Sequence, residues 1–498
     1  MNNQFILTID QSTSGTKAVL FNEQAKLIHR ETIEHKQYYP KSGWVEHDPI
    51  EIYENTIKAI NLVIKNSKID KNLIKGISIT NQRETILVWD KITGLPVYNA
   101  VVWQCLRGED KCKELKTAGH EKMIRQKTGL IIDPYFSASG LNWILNSSNE
   151  IRNKAEKGEL ATGTIDSWLI WKLTKGENHA TDYSNASRTL LLNINTLQWD
   201  EEICKLFEVP TTILPRLLPS DEIFGYTNVE GIFNEVIPIS GVLGDSHAAL
   251  FGQRCYKSGL SKITYGTGSS VMMNIGDKPI DAPTGLVTSV GYGIKEKIDY
   301  VFEGNIHSTG ATIKWLVDSL ELINNSAESE EIASSVDSTE SVYFVPAFSG
   351  LGAPYWDNEA RATISGIHGG TTKAHIVRAG LESIAYQVKD LLDIMAEKAK
   401  IKLEEIRVDG GPTRNKFLMQ FQSDMLGTSI AISDIEEASA LGAALAGGLG
   451  IGIWKNLNEL ENLYSSTDKF KPDMPEIKQN DLYKGWKAAV ELARRGKK

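Results

Sequence analysis

The sequence predicts an α/β protein of two related halves with a cleft between them. Three observations carry that reading. The strand–turn–strand segment Phe5-Ile-Leu-Thr-Ile-Asp-Gln-Ser-Thr-Ser-Gly-Thr-Lys-Ala-Val-Leu-Phe21 has a counterpart in Leu260-Ser-Lys-Ile-Thr-Tyr-Gly-Thr-Gly-Ser-Ser-Val-Met-Met273. Strands alternate with helices through both halves, the pattern of α/β layers. A chain of 498 residues is also too long for a single core. The expected division is 1–252 and 253–498.

A three-strand meander is expected over 4–34, entered at Phe5. Residues 50–65 have helical apolar spacing, opened by Asp48-Pro49. Ile74-Lys-Gly-Ile-Ser-Ile-Thr80 is a short buried strand that ends in Asn81-Gln-Arg-Glu84. Strands at 85–89 and 99–103 bracket a turn at Thr93-Gly94, and Asp166 precedes a helical Ser-Trp-Leu-Ile-Trp-Lys-Leu run. Ile237-Pro-Ile-Ser-Gly-Val-Leu-Gly-Asp245 is a buried strand meeting a turn, and a helix starts at Ser246. The second half reads as a hairpin at 260–274, a helix at 309–319, a strand at 341–346 and a long helix from His375 to Lys400. Strand 406–409, a loop to Asn415 and a helix over 416–426 follow, and helices dominate the rest. The longest linker is the polar stretch 324–338. Ala438–Trp454 is uncharged, short for a membrane span and rich in Gly and Ala, so a buried helix close to a neighbour is expected.

Bulk properties exclude several classes. Hydrophobic content of 41% and charged content of 23% are those of a globular protein. A net charge of −9 opposes a nucleic-acid or anionic-membrane partner, which calls for a basic field. Cys105, Cys112, Cys204 and Cys255 form no CxxC pair and fit reduced thiols. Met1-Asn-Asn-Gln-Phe-Ile shows no leader pattern, so a cytoplasmic location is expected.

The hairpin tips carry the first chemistry. A Gly/Ser/Thr tip alone is most often only a turn. Two of them, one per half, suit a polyphosphate held between the halves. Thr13, Ser14 and Lys17 are candidates for phosphate oxygens, although no Walker loop is present. Asp10 ends its strand beside this tip, as a magnesium ligand does or as a turn-stabilising Asp does. Val408-Asp-Gly-Gly-Pro-Thr-Arg-Asn415 offers backbone that a flat ligand can approach, or a tight strand-to-helix turn. Asp245 reads as a helix N-cap or as a base taking a hydroxyl proton, and one Asp can do both. Arg83-Glu84 reads as a structural ion pair or as a polyol site, with Arg donating to hydroxyls and Glu accepting from them. Trp103 and Tyr135 would add apolar faces, though each is more often core. His247 and His307 lie near these segments without metal spacing.

At these residues the chain resembles the FGGY carbohydrate kinases, and among them the glycerol kinases most. The resemblance runs through nearly the whole chain. It is dense in Gly43-Trp-Val-Glu-His-Asp-Pro49, Ile79-Thr-Asn-Gln-Arg-Glu-Thr85, Asn99-Ala-Val-Val-Trp-Gln-Cys105 and Thr128-Gly-Leu-Ile-Ile-Asp-Pro-Tyr-Phe-Ser137. Thr181-Asp-Tyr-Ser-Asn-Ala-Ser-Arg188 and Pro346-Ala-Phe-Ser-Gly-Leu-Gly-Ala-Pro-Tyr-Trp-Asp357 continue it. It implies two ribonuclease-H-like domains of the actin-like ATPase type, with ATP, Mg²⁺ and a small polyol or ketose in the cleft. By resemblance, Asp245 is the catalytic base, and Asp10 with Asp245 is associated with the metal. Arg83, Glu84, Trp103, Tyr135 and Asp245 match acceptor contacts. Thr13, Ser14, Gly15, Lys17, Thr267, Gly310, Lys314, Gly411 and Asn415 fall where the family touches nucleotide. The family also implies a homo-oligomer, dimer or tetramer, without membrane insertion.

The departures bear on the acceptor. Ser246 and His247 stand where glycerol kinases usually carry Gln-Gln, and Ser270 stands where they carry Phe. Both Ser replacements remove bulk and add hydroxyls, so a wider, wetter pocket is expected, suited to glycerol or to a four- or five-carbon acceptor. Glu303-Gly-Asn-Ile-His-Ser-Thr-Gly310 replaces a more apolar segment. Ser12 replaces Gly, Pro412 replaces Ala, and Gly140 replaces Lys. The segment 231–238 lacks the loop for fructose bisphosphate and the phosphorylated His of some relatives. The alternative from another class is an actin-like ATPase with a protein-binding or filament role and no small-molecule acceptor.

Overall fold

The computed structural model describes residues 4–463 and 466–495. Met1–Asn3, on which the reading of an absent leader partly rests, lie outside the described residues, as do residues 464–465 and 496–498.

The first meander forms where alternation and turn chemistry put it. β1 (Phe5–Gln11), β2 (Gly15–Asn22) and β3 (Leu27–Glu34) pair antiparallel in sequence. Every residue of β1 is buried, whereas β3 has no buried residue and forms the edge. α1 (Pro49–Ser67) starts on Asp48, whose carboxylate accepts from Ile50 N–H at 2.8 Å, with Pro49 in the first turn. It leads into β4 (Ile74–Asn81), which lies parallel to β1. The turn expected at Thr93-Gly94 is present, with Gly94 at φ +67°, although the strand after it is only Ala100–Val101. Asp166 does not precede its helix but sits in the first turn of α2 (Ile165–Leu173). β5 (Ile223–Thr227) and β6 (Ile237–Gly244) complete a sheet of spatial order β5-β6-β4-β1-β2-β3. α3 (Asp245–Gly252) then begins on Asp245 itself, one residue before the expected start.

The second half contains more strand than periodicity suggests. β7 (Ser261–Tyr265) and β8 (Ser269–Gly276) are the second hairpin. β9 (Val287–Ile294) and β10 (Lys297–Ile306) form a further hairpin that the sequence reading missed. Its glycines, Gly291, Gly293 and Gly304, hid the alternation; a Cβ on each would meet neighbouring atoms closer than 3.0 Å. α4 (Gly310–Asp318) follows. The polar stretch 324–338 is not a plain linker, because it holds α5 (Glu328–Ser334). α6 (Lys373–Ala399), β11 (Glu405–Gly410) and α7 (Lys416–Leu426) fall as expected. Beyond them the chain is not purely helical. β12 (Ser429–Ser433) and β13 (Ser466–Phe470) flank α8 (Ala438–Gly450) in sequence, and pairing with β11 recruits such short segments into the sheet. The second sheet has the order β9-β10-β8-β7-β11-β12-β13.

With β9 set aside, the two sheets repeat one plan. β10, β8 and β7 pair antiparallel in turn, as β3, β2 and β1 do. β11 and β12 continue in parallel, as β4 and β6 do, and β13 closes antiparallel, as β5 does. Each hairpin thus occupies the same place in its own sheet.

Between the sheets lies a core built on α3 and α8, with Leu250, Phe251, Leu441, Leu445 and Leu449 buried among Phe21, Met272 and Tyr292. Small residues let the backbones approach. A Cβ on Gly442 would lie 1.7 Å from the Ala248 carbonyl oxygen, and one on Gly252 would lie 2.3 Å from the Ala438 carbonyl oxygen. The Gly- and Ala-rich run is therefore a buried helix against a neighbour, and it braces the helix that begins at Asp245. The four cysteines are buried and unpaired. No helix among the described residues is long and apolar enough to cross a membrane. Gly442→Ala is expected to lower stability by about 1–3 kcal/mol through overpacking between two backbones. A lower urea midpoint at constant slope is the expected result, and an unchanged midpoint contradicts this packing.

Candidate active site

The segment after β4 presents Arg83 and Glu84 at the end of a buried parallel strand, where open α/β sheets place ligand contacts. Glu84 has φ +63°, a left-handed conformation that costs a non-glycine residue roughly 1–3 kcal/mol and needs outside support. Ser137 Oγ donates to its carbonyl at 2.7 Å, and Arg188 Nε donates to its Oε1 at 2.6 Å. Arg83 is surrounded by carboxylates. Its Nη1 and Nη2 donate to the two oxygens of Glu303 at 3.0 and 2.9 Å, and its Nε lies 3.1 Å from Asp245 Oδ1. Arg188 Nη1 reaches the same Glu303 at 2.8 Å.

The electrostatics follow from burial and pairing. Burial opposes the Arg83 charge, but Glu303 and Glu84 outweigh it and hold the guanidinium well above its ordinary value. Burial likewise opposes the Glu303 charge, and Arg188 and Arg83 overcome it, leaving Glu303 well below the carboxylate range. For Glu84 the balance tips the other way. Burial raises it, and Arg188 and Arg83 only partly offset the rise. Removing one partner of such a buried set costs about 3–5 kcal/mol, because the remaining charge is left unpaired.

A cavity of about 380 Å³ opens over this cluster. Arg83, Glu84, Asp245 and Ser246 wall it from the first half, with Trp103 and Tyr135 beside them, and Ser270 and Asn305 wall it from the second. The rings of Trp103 and Tyr135 stand edge to face with centroids 5.6 Å apart, and Trp103 Nε1 donates to Thr13 Oγ1 at 3.0 Å. Asp245 Oδ1 accepts from Ser246 N–H at 2.6 Å and forms an ion pair with Arg83 Nε at 3.1 Å, which leaves Oδ2 open. Ser270 Oγ is buried at the wall without a hydrogen-bond partner.

A second cavity, of about 640 Å³, adjoins the same hairpin. Gly266 and Thr267 wall the larger space, while Gly268, Ser269 and Ser270 of the same tip wall the smaller one. Gly310, Lys314, Gly411 and Asn415 line the larger cavity, with Ile313, Leu381 and Leu418 as its apolar wall. A Cβ on Gly411 would meet nothing within 4 Å, so the backbone there is open to a flat ligand. Asn415 also caps α7, accepting from Leu418 N–H at 2.9 Å. Lys314 is exposed and pairs with Asp318 at 2.5 Å.

The structure brings most of the expected residues to these two cavities, but not all. Thr13 reaches the smaller one. Ser14, Gly15 and Lys17 line neither. Gly15 packs against the Ile33 carbonyl, where a Cβ would lie 2.7 Å away. Lys17 is held by Glu437 at 2.7 Å and lies 3.5 Å from Asp10. Asp10 is buried and lines neither cavity. Burial pushes its carboxyl up to about 6, with Lys17 opposing the shift and Glu437 and Asp245 adding to it. His247 is buried, donor or acceptor to Ser289 Oγ at 3.0 Å, and kept neutral by burial. Arg188, Glu303 and Asn305 are the residues that sequence reasoning missed. Arg188 closes one of the matched motifs, and Glu303 opens a segment noted only for its polarity.

A larger cavity joined through one hairpin to a smaller polar pocket is the arrangement that a small-molecule kinase needs. The N-terminal domain model of the FGGY family of carbohydrate kinases matches residues 5–252, and its C-terminal domain model matches residues 261–451. Glycerol kinase 1 of Thermotoga maritima is 53% identical over 98% of this chain and 99% of its own. A glycerol kinase of Oceanobacillus iheyensis is 49% identical over 99% of both chains. The crystal structure of Plasmodium falciparum glycerol kinase with ADP superposes with a TM-score of 0.94 at 40% identity, covering 99% of this chain and 98% of that one. The chain belongs to the FGGY family of carbohydrate kinases. It is an ATP-dependent polyol kinase with the two-domain, actin-like α/β fold. The alternative of an acceptor-free, filament-type ATPase finds no support.

Asp10 supplies a pH test in metal-free protein. Its carboxyl rises from 3.8 to about 6 on folding, so the folded state binds the proton more tightly. The resulting cost is absent below pH 4, grows as pH rises, and is complete above pH 6, on the order of 3 kcal/mol at most. Asp10→Asn is therefore expected to raise the urea midpoint at pH 7.5 and to lose that gain at pH 4. A gain that is absent at pH 7.5, or equal at both pH values, contradicts the burial argument.

Proposed function

We propose that this chain transfers the γ-phosphate of ATP to a terminal primary hydroxyl of glycerol or of a four- to five-carbon polyol or ketose, with Asp245 as base. The observation that supports it best is the shared hairpin. Its tip walls the larger cavity at Thr267 and the smaller one at Ser270, so a phosphoryl group passing between the cavities stays beside its backbone.

Arg83 has two N–H groups left after its three pairings, and Glu84 has one oxygen left, so together they donate to and accept from acceptor hydroxyls. Trp103 and Tyr135 cover the carbon skeleton. Asp245 Oδ2 takes the proton of the attacking hydroxyl as its oxygen bonds to the γ-phosphorus. The bond from that phosphorus to the β,γ-bridging oxygen breaks, and ADP leaves. Thr13 and Thr267 hold phosphoryl oxygens, and Gly411 and Asn415 bound the adenosine end. Ser14 lies exposed in the first tip, Gly15 opens the strand after it, and Lys17, two residues further on, offsets the charge of Asp10.

The residues fit magnesium. Among the described residues no group of three or more His, Cys, Asp or Glu forms a closed metal cage. Mg²⁺ needs no such cage, because one or two carboxylates, waters and substrate phosphates suffice. Asp10 and Asp245 are the carboxylates that would hold it; Asp10 is buried, and Lys17 at 3.5 Å only partly offsets its charge. When bound, the ion neutralises phosphate charge. On the family resemblance we also assign a cytoplasmic homo-oligomer, dimer or tetramer.

Acceptor length is the open variable of this reading. Glycerol is favoured by the relatives, and a longer acceptor by Ser246, Ser270 and Asn305 facing the cavity. A coupled ADP-release screen over C3 to C6 polyols and ketoses is expected to find at least one efficient acceptor of three to five carbons. Ser246→Gln with Ser270→Phe is expected to shift preference toward glycerol. ATP turnover that no polyol or ketose stimulates contradicts the function. A double variant that loses activity without gaining preference for glycerol contradicts the pocket argument.

A further inference from the structure

We infer that Glu303 is a positioning residue for the acceptor: a carboxylate of the second half that orients both acceptor-binding residues of the first, Arg83 directly and Glu84 through Arg188. The inference rests on the functional reading above and deepens it.

The pairing pattern carries the argument. Arg83 spends two of its five N–H groups on Glu303, at 3.0 and 2.9 Å, and this parallel pair fixes the plane of its guanidinium. The same carboxylate forms an ion pair with Arg188 Nη1 at 2.8 Å without an aligned hydrogen bond, and Arg188 Nε donates to Glu84 at 2.6 Å. Glu84 stands on a left-handed backbone and has no other charged partner within salt-bridge distance among the described residues. One carboxylate therefore sets the direction of three side chains.

Glu303 itself is held. It lies within β10, opposite Met272 of β8 and Val287 of β9, and is 2% exposed. Two residues on, Asn305 shares its face of the strand, pairs with Ser270 and walls the acceptor cavity. The second half thus supplies a rigid wall and, beneath it, the charge that aims the first half's ligands. Glu303 also competes with Asp245 for Arg83. Without it, Arg83 and Arg188 repel each other as neighbouring buried cations. Arg83 then turns its free donors toward Asp245 and occupies the oxygen that an acceptor hydroxyl needs.

A residue that merely welds the two halves would disturb nucleotide and acceptor together. A positioning residue splits them. For Glu303→Gln, acceptor KM is expected to rise at least about tenfold with the KM for ATP within about twofold of wild type, a loss of binding confined to one substrate. Arg188→Lys keeps the charge but cannot serve Glu303 and Glu84 at once, so it should show the same split, and it decides the matter if Glu303→Gln does not fold. Glu303→Asp, which keeps the charge on a shorter stem, should recover part of the acceptor affinity. Acceptor KM within threefold of wild type in the folded variant, or a joint rise of both KM values, overturns the inference. A wild-type protein that phosphorylates no polyol or ketose sinks the functional reading instead, whereas an active wild type with an unaffected Glu303→Gln sinks this inference alone.

Discussion

Burying a guanidinium is costly unless carboxylates surround it, and the acceptor site of this kinase is organised around that constraint. Arg83 is 7% exposed and Arg188 is 2% exposed. Two positive charges face Glu84, Asp245 and Glu303, drawn from both halves of the chain. The balance leaves one carboxylate edge on Asp245 and one on Glu84 unfilled. On the proposed function those edges take the hydroxyls of a polyol, so the arrangement that makes burial tolerable would also make the site complementary to its ligand.

The two sheets bring these groups together through geometry rather than through local sequence. Each carries the same run of three antiparallel and two parallel strands, with its hairpin beside the cleft. The helix that starts at Asp245 is braced by α8, whose glycines admit the backbone of α3. Ser439 Oγ of α8 donates to the Asp245 carbonyl at 2.9 Å, and Glu437, just before that helix, holds Lys17 and Arg30 at 2.7 Å. Helix packing, Asp245 and the first hairpin are therefore one mechanical unit. A shift of α8 would be felt at Asp245.

Much of this was legible before the structure. Turn chemistry revealed both hairpins, and the family resemblance grouped Arg83, Glu84, Trp103, Tyr135 and Asp245, which line one cavity. The long helices read cleanly because their apolar period is sustained. What escaped was tertiary. Glu303 lies in a strand whose glycines conceal its alternation, and nothing local says that its partner is 220 positions away. β12 and β13 are strands because β11 offers them an edge, not because five residues insist on extended backbone. α5 looked like a linker because its charged face dominates, yet Ser329 and Glu330 on it wall the larger cavity.

The proposed function divides labour among the carboxylates: Glu303 compensates charge, Glu84 accepts from hydroxyls, and Asp245 takes the proton. Rapid-quench measurement of a single turnover in Asp245→Asn tests it most directly, because the amide keeps the shape and the Arg83 contact but cannot act as the base. The transfer rate is expected to fall at least about 100-fold with ATP and acceptor still binding, the scale on which a general base contributes. A variant that transfers within about tenfold of the wild-type rate would contradict the assignment of Asp245 and the account built on it.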